Sequence, residues 1–328
     1  MVDIAKHALV TGAGGQDGSY ISELLLSKGY EVFGTTRISI NPNLQNLLEV
    51  IKNPNFHLLQ ADMTDSESLA RAVRQSEPDE IYNLAAVSYM PASWDCPAHV
   101  INVNAVGPVR LLEATRNLCP HAKFYQASTS EMFGAVTESP QNELTPFRPV
   151  HPYGAAKLSA HWTAIAFREQ YGLHVSCGIL FNHESPRRGQ QFVTAKVVRA
   201  AANISLGSTE KLSLWTLDSV RDWGFAGNYV EAMWRMLQRE KAGDYVIGTG
   251  VGHSVRDLVE CAFGYLNLDW RDWVVLNPPI GWSVDTRANY IADASRAEKE
   301  LGWKPTVDFK QLIHMAVDAD IKRLRGIR

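Results

Sequence analysis

A short apolar run, His7-Ala-Leu-Val-Thr11, leads without a break into Gly12-Ala-Gly14-Gly15-Gln16-Asp17-Gly18. Tyr20, Ile21, Leu24 and Leu25 follow at helical spacing, and the pattern stops near Lys28-Gly29. This strand, glycine loop and helix constrain the chain more than any other stretch. Glycines at this GxxGxxG spacing let the backbone turn tightly and approach a pyrophosphate, and the helix start offers it free N–H groups. The unit predicts a dinucleotide site with Gly12, Gly15, Gln16, Asp17 and Gly18 at the cofactor.

The alternation continues as a doubly wound sheet requires. Glu31–Thr36, Phe56–Gln60, Glu80–Leu84, Lys123–Ser128 and His174–Leu180 read as buried strands. Helical stretches separate them, among them one opened by Thr64/Asp65 and a long one from Pro97 to Cys119. This order argues for a Rossmann-type α/β fold, a parallel sheet covered on both faces. The second strand ends in Thr36-Arg37, where an NAD site would carry a carboxylate for the ribose. An arginine without a carboxylate favours the 2′-phosphate of NADP. Asp62 and Met63 are placed for the adenine. Leu84, Ala85 and Ala86, small or apolar residues at a strand's C-terminal end, let a cofactor lie close, and Ser88 follows in the crevice.

Bulk properties narrow the class further. A chain of 328 residues, 45% hydrophobic, can bury a large core. The net charge of −3 gives no basic footprint for nucleic acid or a membrane surface. No apolar run approaches the ~18 residues of a membrane span, and no signal peptide opens the chain. Cys96, Cys119, Cys177 and Cys261 form no CxxC pair, which fits a reducing cytoplasm. The ten histidines show no metal-ligand spacing, so no metal site is expected.

Chemistry is expected where Thr129 and Glu131 leave one strand and Tyr153-Gly-Ala-Ala-Lys157 opens the next helix. Four residues apart on a helix, Tyr153 and Lys157 share a face. The ammonium is expected to lower the tyrosine pKa, so that the phenol exchanges protons near neutral pH. Thr129 can bond the oxygen being oxidised. Glu131 is more than an alcohol oxidation needs and suggests a second proton transfer at a neighbouring carbon.

The segments TGxxGQDGSY, IYNLAA, FYQASTSEMFG, HPYGAAK, GILFNHESPRRG, RDWGFAGNYVEAMW and ELGWKP together resemble the GDP-mannose 4,6-dehydratase family. That family lies within the extended short-chain dehydrogenase/reductase group, and the likeness covers nearly the whole chain. It implies a closed redox cycle on NADP. The hexose is oxidised at C4 with Tyr153 as base. Glu131 removes the C5 proton and helps the C6 hydroxyl leave as water. Hydride then returns to C6, giving a 4-keto-6-deoxy sugar. Further implications are Asn182, Val193, Lys196 and Arg221 at the nucleotide sugar, and Arg187 and Arg188 on a loop at a subunit contact that reaches a neighbouring cofactor phosphate. The resemblance also implies a homo-oligomer, dimer or tetramer. It divides the chain into an NADP-binding domain (1–180 and 220–252) and a smaller C-terminal α/β substrate domain (181–219 and 253–328).

The chain departs from the family pattern at several places. Ala195-Lys196 stands for Arg-Lys, and Leu214-Trp215-Thr216-Leu217 for Leu-Gly-Asn-Leu. An Arg-Pro-x-Glu-Val segment is replaced by 281–289, where Arg287 is the candidate substitute. Pro149-Val150-His151-Pro152 stands for Pro-Arg-Ser-Pro. These changes keep open a 4,6-dehydratase of another nucleotide hexose, or an epimerase, reductase or decarboxylase on the same scaffold.

Overall fold

The computed structural model describes residues 5–37, 44–136, 138–278 and 289–327. The first half alternates as expected: β1 (His7–Thr11), α1 (Gln16–Ser27), β2 (Glu31–Thr36), β3 (Phe56–Gln60), α2 (Ser66–Ser76), β4 (Glu80–Asn83). Asp65 caps α2 by accepting from the Glu67 N–H at 3.0 Å. A short α3 (Ala92–Asp95) follows, and the long helix expected from Pro97 is broken into α4 (Pro97–Ile101), a π turn over Asn102–Val106, and α5 (Gly107–Leu118). At the start of α5, a Cβ on Gly107 would come within 2.8 Å of Met63 Cβ.

Beyond β5 (Lys123–Thr129), the chain runs through a proline-rich loop into α6 (Pro152–Tyr171) and β6 (Val175–Leu180). The second half comprises β7 (Asn182–Glu184), α7 (Val193–Ser205), β8 (Leu212–Leu214), β9 (Val220–Phe225), α8 (Ala226–Gln238) and β10 (Asp244–Ile247). Then come β11 (Gly252–Ser254), α9 (Val255–Tyr265), β12 (Val274–Leu276), α10 (Ser295–Leu301) and α11 (Phe309–Leu324).

Seven strands form one parallel sheet in the order β10-β6-β5-β4-β1-β2-β3. The order reverses between β1 and β4, the point where ligands bind in such sheets. On one face, α1 and α8 pack against the sheet through Ile21, Leu25, Val230, Met233 and Leu237, all fully or almost fully buried. On the other, α2, α5 and α6 cover Leu9, Ile81, Phe124 and Cys177. Burial on both faces explains why these strands read as apolar runs rather than alternating ones. Segment 220–252 splits its strands: β10 joins the edge of the large sheet through β6, whereas β9 lies between β7 and β11 in a separate three-stranded sheet.

The edge strand β10 is held from below by a two-pronged ion pair. Arg168 of α6 meets Asp244 at 2.9 and 2.8 Å and also donates to the Val175 carbonyl. A third cluster, built from α7, α9, α11 and β8, packs Val198, Leu258, Phe263 and Ile313 beside the sheet. No helix among the described residues is long and apolar enough to cross a membrane.

Candidate active site

The C-terminal ends of β1 and β4 and the middle of β5 are set in register, with Thr11 beside Asn83 and Asn83 beside Gln126. Their side chains form one polar row: Thr11 Oγ1 donates to Asn83 Oδ1 at 2.8 Å, and Asn83 Nδ2 to Gln126 Oε1 at 2.9 Å. Thr11 Oγ1 also accepts from the N–H groups of Leu84 and Ala85. The row fixes the glycine loop against segment 84–86. It went unforeseen because it depends on strand register, which no local motif encodes.

The glycine loop turns at Gly12, whose φ of +68° lies in the left-handed region. A Cβ there would meet Ala85 Cα at 2.9 Å, and one at Gly18 would meet the Gly12 carbonyl at 2.2 Å. Gly15 caps α1 with no side-chain bond to its first turn, so those N–H groups remain open to an anion.

Above the loop lies a cleft of about 770 Å³, within the usual range for small-molecule sites. Gly12, Gly15, Gln16, Asp17 and Gly18 form its floor, and Arg37, Asp62 and Met63 one end. Leu84, Ala85, Ala86 and Ser88 form a wall. Thr129, Glu131, Tyr153 and Lys157 also line the cleft, together with Asn182, Arg188 and Val193. Asn182 Oδ1 is buried without a hydrogen-bond partner, a polar end available to a ligand. Residues from both halves of the chain thus meet at one cleft. The donors and glycines suit a dinucleotide: open N–H groups for phosphates, Arg37 at the end by β2, and no room for side chains where the backbone must come close.

Other expected contacts lie elsewhere. Arg187 is outside the cleft. It folds back onto α1, donating to Ser19 Oγ and Glu23, with its guanidinium 4.1 Å from the Tyr20 ring centre. Lys196 donates to the Ser213 carbonyl at 2.7 Å. Arg221 lies over the Tyr290 ring at 4.7 Å, although its charge still reaches Glu131. Arg287 and nearly all of 281–289 lie outside the described residues. Arg188 does reach the cleft, stacked 3.5 Å from the Phe192 ring centre and 3.0 Å from Glu184.

Electrostatics within the cleft correct one expectation. The Tyr153 phenol lies above its ordinary value, not below it. Burial, and then the Glu131 charge, push the phenol up to about 12, against a hydrogen bond with Thr129 that lowers it. Burial pushes Lys157 down to about 8, and its ammonium is committed to the Ala127 carbonyl at 2.9 Å. Spacing predicted a shared face but could not register this loss of solvent.

Glu131 behaves differently. Burial raises its pKa, but a hydrogen bond from His151 and the charge of Arg221 outweigh it and leave the carboxyl below its ordinary value. Under the glycine loop, His183 lies 2.8 Å from Asp17. Burial opposes both charges, yet each partner's charge prevails, lowering Asp17 and raising His183. Among the described residues, no three His, Cys, Asp or Glu side chains converge to hold a metal.

Comparison with known proteins agrees with this arrangement. A family model for GDP-mannose 4,6 dehydratase matches residues 9–316. GDP-mannose 4,6 dehydratase 2 of Arabidopsis thaliana is 48% identical over 98% of this chain and 88% of its own length. The Homo sapiens GDP-mannose 4,6 dehydratase is 44% identical over 97% and 92%. Among solved structures, the UDP-glucose 4-epimerase of Thermotoga maritima with UDP-glucose superposes with a TM-score of 0.86 at 26% identity, covering 97% of this chain and 99% of its own. The dTDP-glucose 4,6-dehydratase of Streptomyces venezuelae with NAD bound gives 0.85 at 26% identity, covering 97% and 98%. The chain belongs to the GDP-mannose 4,6-dehydratase family.

Proposed function

We propose that the chain is an NADP-dependent hydro-lyase that converts GDP-mannose to GDP-4-keto-6-deoxymannose. The observation that carries this reading is the presence of a carboxyl, Glu131, in the same cleft as Tyr153 and the glycine loop. A phenol alone serves oxidation at one carbon; a carboxyl beside it allows elimination at the next. Family membership and the full-length relatives support the substrate.

The roles follow from position. Thr129 and Tyr153 are hydrogen-bonded and hold the sugar's C4 oxygen, and Tyr153 takes its proton. A bound NADP⁺ supplies the acceptor for the C4 hydride and its donor at C6, and its ring charge favours the ionised phenol. Once C4 is a ketone, C5–H is acidic. Glu131 takes that proton and passes it to the departing C6 oxygen, which leaves as water. A proton returns to C5, balancing the one taken from the C4 hydroxyl. The open N–H groups at the start of α1 would hold the cofactor's phosphates, and Arg37 would hold the 2′-phosphate of NADP. Asn182, Arg188 and Val193, which line the cleft from segment 181–219, are assigned to the nucleotide sugar.

The test is to incubate purified protein with NADP or NAD and a panel of nucleotide sugars, and to follow product mass and NADPH absorbance. GDP-mannose should lose one water with NADP present and no net NADPH formed. Loss of CO₂, a product of unchanged mass, or turnover only with another nucleotide sugar would overturn the reading.

A further inference from the structure

His151 is the residue before α6 and lies outside the cleft lining, behind Glu131. Its two ring nitrogens have different partners. Nδ1 faces the backbone N–H of Gly154 at 3.0 Å, and Nε2 faces Glu131 Oε2 at 3.0 Å. A backbone N–H can only donate, so Nδ1 is the acceptor and the ring proton sits on Nε2. That proton is therefore donated to the carboxylate. The arrangement is tightly built: His151 is 9% exposed, and its ring lies near-parallel to Tyr153, 6.0 Å away. A Cβ on Gly154 would come 2.7 Å from the Glu131 carbonyl, so the glycine lets the helix start press against Glu131. Oε1 of Glu131 accepts no hydrogen bond among the described residues.

We propose that His151 is a positioning residue for Glu131: it occupies Oε2 and leaves Oε1 as the carboxyl oxygen that takes the C5 proton and hands it to the C6 oxygen. The proposal rests on the dehydratase reading for its chemistry, although the pairing itself does not. In the step, the C5–H bond breaks and an Oε1–H bond forms; that bond then breaks as the C6–O bond cleaves and water departs. His151 keeps its own proton throughout. The direction of the Glu131 shift agrees, because the histidine bond opposes the effect of burial. The titratable and charged groups around Glu131 are His151, Tyr153 and Arg221.

His151→Asn and His151→Ser keep a capping side chain and remove the bond to Glu131. Two measurements on the full-length protein test the idea. First, the Glu131 carboxyl is titrated by infrared difference spectroscopy against Glu131→Gln, with and without the His151 substitution and without substrate. Protonation should move to higher pH in the variants. Second, kcat should fall ~10–100-fold, the loss of one hydrogen bond to a charged group, with KM little changed and the acid limb of the pH profile moved up. Unmoved titration together with an unmoved pH profile would overturn the proposal. If neither variant folds, the wild-type ring decides: nitrogen NMR that finds the His151 proton on Nδ1 rather than Nε2 refutes it. Wild-type protein that leaves GDP-mannose untouched would instead refute the dehydratase reading and leave the infrared result to judge His151.

Discussion

Two alanines in the glycine loop should have different effects, and the difference follows from where each Cβ would fall. At Gly18 the new atom would lie 2.2 Å from the Gly12 carbonyl oxygen, 2.7 Å from Ala13 Cα and 2.8 Å from the Gly12 carbonyl carbon. All three are backbone, so the turn itself must move, at an overpacking cost of about 1–3 kcal/mol. At Gly15 the closest atom is the Gly12 oxygen at 3.2 Å, and the backbone sits at φ −73°, ψ 176°, which any residue adopts. Losing a glycine N-cap there and reducing the freedom of the unfolded chain oppose each other at roughly 0.5–1 kcal/mol each. Gly15→Ala should therefore melt close to wild type, while Gly18→Ala melts several degrees lower. Both should bind NADP poorly. For Gly15→Ala the methyl would stand at the proposed pyrophosphate site at the start of α1, and pushing a phosphate out of reach of one charge-assisted bond would weaken binding about 10–100-fold. Thermal melts without cofactor, paired with calorimetric titration of NADP, separate the two effects. A Gly15→Ala protein with wild-type melting and wild-type affinity would refute the placement of the dinucleotide on this loop.

Other outcomes follow from the same geometry. Glu131→Gln should lose dehydration by ~10²–10⁴-fold, the usual contribution of a general acid/base, while stopped-flow absorbance still records reduction of bound cofactor by substrate; normal turnover would remove Glu131 from the reaction. The Asp17–His183 pair makes stability depend on pH in two directions. Asp17 is lowered, so its contribution is present above its unfolded value and lost as pH falls through the folded one. His183 is raised, so its contribution is present below its unfolded value and lost as pH rises through the folded one. Stability should thus be greatest between the two, and His183→Asn should flatten that dependence in denaturant titrations across pH. Arg168→Met leaves Asp244 without its ion-pair partner on an edge strand and should cost about 2 kcal/mol in urea unfolding; an unchanged midpoint would mean that the pair contributes nothing.

Much of this architecture was legible because its signals are local. The strands of a sheet buried on both faces are apolar runs, and glycines that must be glycines stand in a fixed rhythm. Glu131 and Tyr153 could be placed on one cleft because each leaves a recognisable strand or helix end. What escaped was set by distance in space. The Thr11–Asn83–Gln126 row exists only through strand register. The His151–Glu131 bond joins residues 20 apart through a loop whose path has no periodic signature. The raised Tyr153 and lowered Lys157 are effects of burial, which spacing on a helix cannot measure. The path of Arg187 back onto α1, where Glu23 and Tyr20 hold it, likewise depends on contacts distant in sequence.

The central claim is that one cleft oxidises the sugar at C4 and returns the same hydride to C6 around a water elimination at Glu131. It is tested most directly with GDP-mannose carrying deuterium at C4, incubated with the protein and unlabelled NADP, and read by NMR of the product. The account predicts a 4-keto-6-deoxy sugar with the deuterium at C6. Deuterium lost to the medium, retained at C4, or accumulated in free NADPH would contradict it.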